Sequence, residues 1–270
     1  MPRGTFMLLQ IELYVLGAML VVMAAAWAFG LAAKNGGWTD VFWTWGTGVV
    51  LAAAGLLANG PDAIGPRNIL VAAFMAVWAL RLGLYLTPRV ATHAEDPRYA
   101  QFRTAKSYPL TMLWVTLPQA LASALLALSV VLAAQAPGAA LGLRDGLAVL
   151  LFAVAIAGEA VADAQMKRFR AAPAHKGQVM DRGLWGWSRH PNYFFQWLGW
   201  LAYPIVALDP AQPITWLSLA APAVMYGLLR HVSGVPPLEE AMLGSRGDTV
   251  RDYQRRVSVF FPVPPKSKRA

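Results

Sequence analysis

Four ionisable residues near the middle of the chain, Glu159, Asp163, Lys167 and Arg170, are separated by four, four and three positions. On an α-helix such spacing places all four on one face. The two carboxylates come first and can accept hydrogen bonds from sugar hydroxyls or an amide. The two cations follow, with Arg168 beside them, and suit phosphate. One reading is a helix end whose ion pairs neutralise each other. The other is the polar wall of a cleft, which the depth of Glu159 in apolar sequence favours.

A second group runs Arg182-Gly183-Leu184-Trp185-Gly186-Trp187-Ser188-Arg189-His190-Pro191-Asn192-Tyr193 and leads into Phe194-Phe195-Gln196-Trp197. Pro191 suits the first turn of a helix, whose free N–H groups would attract an anion. Arg189 and His190 stand at that mouth, and Asn192 and Gln196 are one turn apart. The simplest account of this stretch is a basic loop ahead of an apolar helix.

The C-terminal part offers Leu238-Glu239-Glu240 and then Asp252-Tyr253-Gln254-Arg255-Arg256. This pattern predicts one or two interfacial amphipathic helices. Basic residues there would also meet anionic lipid head groups, which Glu239 and Glu240 would repel. Arg81 and Tyr85 are one turn apart. Asp40 opens an apolar stretch beside Trp43 and Trp45, and Glu95-Asp96-Pro97-Arg98-Tyr99 follows later. Each of these alone fits a structural role. His93, His175, His190 and His231 lack metal-ligand spacing, so no metal centre is expected.

The elements that must position these residues are predicted to be membrane spans. The chain is 57% hydrophobic and 14% charged, whereas soluble domains carry roughly a quarter charged residues. Apolar runs of about 20 residues, the length a bilayer core demands, recur throughout. They predict an all-α, polytopic bundle of seven transmembrane helices at 8–33, 39–59, 68–87, 109–135, 145–166, 193–209 and 212–232. The first run is read as a retained span, since the pattern of a cleaved signal is missing. The whole chain is read as one integral membrane domain with a basic tail at 233–270.

Most of the 23 basic residues fall on one side of this arrangement. They include Arg89, Arg98, Arg103 and Lys106, then Lys167 to Arg189, then Arg246 to Arg269. Arg3, Arg67 and Arg144 fall on the other side. The positive-inside rule then puts the C-terminus in the cytoplasm and the N-terminus outside. It also accounts for the net charge of +9 without nucleic acid. Cysteine is absent from the sequence, which excludes disulfides and cysteine nucleophiles.

The run from Arg182 to Phe194 resembles the C-terminal signature of the steroid 5-alpha-reductase family, and most closely a bacterial branch of membrane proteins that share it. The tail pattern Leu238-Glu239-Glu240 … Phe261-Pro262, the stretch Asp40-Val41-Phe42-Trp43 … Gly46 and Glu95-Asp96-Pro97-Arg98-Tyr99 are similar to that branch too. The resemblance covers most of residues 40–264. Its Arg-His-Pro-x-Tyr core is shared with isoprenylcysteine carboxyl methyltransferases and sterol reductases.

The resemblance implies a seven-span fold that binds NADPH from the cytoplasmic side. It implies cofactor contacts at Asp163, Arg170 and Asn192, with Lys167 standing where the family has arginine, Glu159 where asparagine is common and Gln196 where glutamate is usual. Arg182, Arg189, His190, Tyr193, Glu240, Tyr253 and Arg256 complete the implied cofactor set. The family's Gln-Glu pair for a steroid ketone is missing from the second span, so steroid specificity is not implied. The expected activity is reduction of an activated carbon–carbon double bond in a lipophilic, steroid- or isoprenoid-like substrate that enters from the lipid. Such a reaction needs a donor on the conjugated carbonyl; Tyr85 is the candidate, with Asp40 in reserve. The rival expectation is an S-adenosylmethionine-dependent methyltransferase of a lipid-like substrate. The Lys167, Arg168 and Arg170 cluster favours the two phosphates of NADPH. A transporter would show paired broken spans in two halves, which the sequence lacks. The expected location is the bacterial inner membrane, with the cleft open to the cytoplasm.

Overall fold

The computed structural model describes residues 3–266, with side chains from Phe6 onward. Lys268, Arg269 and the side chain of Arg3, used in the charge argument, lie outside the described residues. The helices are α1 (Arg3–Ala32), α2 (Trp38–Leu56), α3 (Pro66–Thr92), α4 (Pro97–Ala100), α5 (Tyr108–Thr116), α6 (Pro118–Ala134), α7 (Leu143–Ala171), α8 (Pro191–Trp200), α9 (Ala202–Ala207), α10 (Ala220–Gly227) and α11 (Val235–Arg256). Four stretches are long and apolar enough to cross a membrane: Phe6–Ala32, Pro66–Thr92, Tyr108–Ala134 and Leu143–Ala171. The third contains a break, because Pro118 has no N–H to return to the carbonyl of Trp114.

The last two predicted spans are not single helices. The stretch 193–209 is divided at Leu201 into α8 and α9, where Pro204 cannot donate to the Trp200 carbonyl. The stretch 212–232 is a 3₁₀ turn over Pro213–Leu219, then α10, then a π turn over Leu228–Val232. Pro222 leaves the Ser218 carbonyl without a helical donor. Ser129 takes that carbonyl instead at 2.6 Å and accepts from the Ala221 N–H at 2.8 Å.

The chain divides into two compact units. The first comprises Met1–Ala148 and Tyr203–Val224. Its core is built by close helix approach. A Cβ on Gly48 would lie 2.1 Å from that of Ala79, and one on Gly83 would strike the Trp45 ring at 2.4 Å. Buried hydroxyls join helices across the core, with Thr47 and Ser123 at 2.8 Å and Thr39 and Thr116 at 3.4 Å. Small residues and side-chain hydroxyls are the usual adhesive between apolar helices. At one end Arg67 grips Asp145 through two 2.8 Å bonds and also donates to the carbonyls of Ala136 and Pro137.

The second unit comprises Val149–Ala202 and Met225–Ala270. It holds the body of α7, the segment after it, α8 and α11. Gly158 on α7 lets the Phe195 ring of α8 sit where a side chain would otherwise be, 2.4 Å from the position of a Cβ. α11 bends at Gly247, whose φ of +45° only glycine adopts readily. Val250, Tyr253, Val257 and Phe260 are nearly fully buried, so the C-terminal segment packs as part of this unit.

Candidate functional site

α7 is uninterrupted from Leu143 to Ala171, so the stripe of ionisable residues is carried on one rigid face. Along it burial changes sharply. Glu159 and Asp163 are 4% and 8% exposed, whereas Lys167, Arg168 and Arg170 are exposed. Buried carboxylates thus give way to accessible cations within about two turns.

The segment 182–190 is tied to this helix. The Trp185 indole donates to the Ala162 carbonyl at 2.9 Å, and Gln165 accepts from the Leu184 N–H at 3.0 Å. Gly183 makes the tight passage with φ +57°. Arg182 is exposed. Ser188 pairs with Ser258 in a single parallel bridge, and the Arg189 N–H donates to Ser258 at 2.7 Å. The Ser188 hydroxyl donates to the Phe260 carbonyl at 2.8 Å and accepts from the His190 N–H at 3.1 Å.

Arg189 does not project into an open anion site. Its Nε and Nη2 donate to the two oxygens of Glu239 at 2.7 and 3.1 Å. Its Nη1 donates to the carbonyls of Gln254 and Val257 at 3.0 and 2.8 Å. Glu239 also meets His190 Nε2 at 3.1 Å and accepts from Gln254 at 2.9 Å. Burial pushes the Glu239 carboxyl up, but the hydrogen bonds from His190 and Arg189 outweigh it and bring it down to about 2. Burial depresses His190 more strongly than Glu239 raises it, so the imidazole is held toward its neutral form. A neutral ring can still donate from Nε2 to the carboxylate.

Other members of the implied cofactor set serve the same fastening. The Tyr253 hydroxyl donates to the Trp185 carbonyl at 2.6 Å, and burial raises its pKa. Arg256 bonds Asp252 at 2.8 Å and Asp181 at 3.3 Å. Of the adjacent acidic pair, Glu240 is exposed and Glu239 makes the contacts. In the first turn of α8, Asn192 and Tyr193 are half-buried. Tyr193 stacks on His190 with centroids 5.6 Å apart, and Gln196 is buried. Phe194, Trp197, Tyr226, Phe260 and Phe261 form an aromatic cluster with centroids 5.2–6.1 Å apart.

The two proposed donors lie in the first unit. Asp40 is engaged by the Arg98 guanidinium at 2.8 Å and by the Tyr99 hydroxyl at 2.6 Å. Arg98 also holds Asp96 at 3.0 Å. Tyr99 is buried, and burial together with Asp40 raises its pKa. Glu95 accepts from the Gly36 N–H and from Arg103. Asp40 is therefore a fastening point for the 95–103 segment. Tyr85 is 37% exposed, with the Arg81 guanidinium 5.7 Å from its ring centroid.

Glu239, Gln254, Trp185, Gln165 and Tyr99 escaped the sequence analysis as contact makers. Their partners are separated by 15 to 68 positions, and Glu239 meets Gln254 because the helix bends at Gly247, whereas a straight helix would hold them about 22 Å apart.

The fold and site define an all-helical protein with bilayer-length apolar helices and a polar assembly on the longest of those after the first. Residues 26–257 match the family described as "Protein of unknown function (DUF1295)", and the chain belongs to that family. It is also 28% identical over 226 residues to "Uncharacterized protein C594.04c" of Schizosaccharomyces pombe, across 74% of this chain and 64% of that protein. The chain thus spans a little under two thirds of that relative. No solved structure matches it.

Proposed function

We propose that the protein is a membrane-embedded, NADPH-dependent reductase of an activated carbon–carbon double bond in a lipophilic, steroid- or isoprenoid-like substrate. The observation that carries this reading is the α7 face, where buried Glu159 and Asp163 lead to exposed Lys167 and Arg170, with the 182–190 segment bonded to the same helix. This donor set fits a dinucleotide. Lys167, Arg168, Arg170 and Arg182 supply positive charge for phosphates, while Glu159 and Asp163 can accept from ribose hydroxyls or a carboxamide. Asn192 and Tyr193 lie in the first turn of α8, with Gln196 one turn further on. NADPH would supply the hydride, and the protein's part is to bind, orient and exclude water.

The charge distribution supports a seven-span arrangement with the C-terminus and the α7 cations on the cytoplasmic side of a bacterial inner membrane. The breaks at Leu201 and within 213–232 make the last two crossings irregular. Irregular backbone at such depth is tolerated where protein surrounds it. The resemblance to the steroid 5-alpha-reductase family points the same way.

The occupied state of Arg189 favours a second reading. With that cation held by Glu239 and two carboxylates buried on α7, the same unit suits a cationic sulfonium, as in an S-adenosylmethionine-dependent methyltransferase. Thermal unfolding of the purified protein with NADPH, NADH or S-adenosylmethionine separates the two. A ligand that binds the native state raises Tm in a concentration-dependent way. Stabilisation by NADPH that is lost in Arg170→Ala supports the reductase. Stabilisation by S-adenosylmethionine alone overturns it.

A further inference from the structure

The first helix carries a carboxyl that none of the groups above uses. Along α1, Leu8, Val15, Met19, Met23 and Ala26 are all at most 5% exposed. Their three- and four-residue intervals, once Glu12 is placed between Leu8 and Val15, trace one helical face. Glu12, itself half-buried, is therefore the polar position on an otherwise apolar face. Its Oε1 is buried and has no hydrogen-bond partner among the described residues. The helix lies in one of the four bilayer-length stretches, Phe6–Ala32.

Among the described residues, the elements packed most closely on α1 supply no counter-charge near Glu12. They are α2, α5 and α6. Their sequences contain two ionisable side chains, Asp40 in the first turn of α2 and Tyr108 at the start of α5. Both belong near the far end of α1, where the Trp27 indole donates to Pro109 at 2.8 Å. Trp27 is fifteen residues beyond Glu12, about 22 Å along the axis. On α1 itself, Gln10 donates to the Tyr14 hydroxyl at 3.2 Å, and Arg3 is about 13 Å away along the axis. An ionised carboxylate so placed would carry an uncompensated charge in apolar surroundings, which is strongly unfavourable. The neutral acid does not.

We propose that Glu12 is a proton-binding carboxylic acid within the first apolar helix, a site that takes a hydrophobic carbodiimide. The acid O–H adds across one C=N bond of the reagent. The carboxyl oxygen bonds to the central carbon and the proton passes to nitrogen. Migration of the acyl group from oxygen to nitrogen then gives an N-acylurea, and nothing is expelled. The site is independent of the reductase reading.

The test treats the full chain in detergent micelles with dicyclohexylcarbodiimide or with a water-soluble carbodiimide, and maps adducts by peptide mass spectrometry. The expected result is an adduct at Glu12 with the hydrophobic reagent. It is lost in Glu12→Gln and declines as the reaction is moved from about pH 6 to about pH 9, well above ordinary carboxyl titration. The water-soluble reagent marks exposed Glu240 and Asp248 and spares Glu12. Labelling of Glu240 but not Glu12 by the hydrophobic reagent overturns the proposal, as does equal labelling of Glu12 by both. If Glu12→Gln fails to fold, the position of the adduct in the wild-type peptide still decides.

Discussion

Arg189 and Glu239, fifty positions apart, meet through two parallel hydrogen bonds of 2.7 and 3.1 Å, each side chain less than a fifth exposed. This pair joins the segment after α7 to α11, and His190 and Gln254 complete it. The arginine that the sequence offers as an anion receptor spends its donors on the fold.

Removing either partner of that pair leaves the other charge largely buried. Arg189→Ala or Glu239→Ala is expected to cost roughly 3 kcal/mol, read as a drop in the unfolding midpoint. The double variant should lose less than the sum of the two, because the interaction is shared. Additive losses would show that the pair contributes nothing.

Stability should fall in acid. Glu239, drawn down to about 2 in the fold, has an ordinary value near 4.5, so its contribution is present above that value and is lost as pH falls toward 2. His190 is also depressed, by burial. The unfolded chain therefore takes up its proton first as pH drops below about 6.5, and stability falls in the same direction. Tm measured from neutral pH downward should decline over both ranges. His190→Gln should flatten the upper part, and it should weaken the lower part too wherever glutamine does not replace the hydrogen bond to Glu239.

The α7–α8 contact rests on a missing side chain. A Cβ at Gly158 would lie 2.4 Å from two carbons of the Phe195 ring. Gly158→Val should therefore destabilise by about 1–3 kcal/mol through overpacking. Adding Phe195→Leu should recover part of that loss, which thermal unfolding of the single and double variants will show.

At the other unit's end, Asp145 is 2% exposed and receives two Arg67 bonds as well as the Gly142 N–H at 2.8 Å. Arg67→Ala should cost roughly 3 kcal/mol by stranding that carboxylate. It should also open the 135–142 connection to limited proteolysis, since Arg67 holds the Ala136 and Pro137 carbonyls.

Composition and periodicity determined the helical class and four of the seven expected bilayer-length stretches, because a 20-residue apolar run has few other uses in a chain so poor in charge. The stretch 39–59 forms a helix, Trp38–Leu56, that is not among those four. Spacing alone also placed Glu159, Asp163, Lys167 and Arg170 on one face, since helical geometry converts sequence intervals directly into direction. Tertiary structure decided which charges are spent. Arg189 on Glu239, Asp40 on Arg98 and Tyr99, and Tyr253 on Trp185 are pairings between distant segments, and no local interval encodes them. It also decided that the runs at 193–209 and 212–232 break, because the outcome at each proline depends on whether a partner such as Ser129 stands ready to take the freed carbonyl.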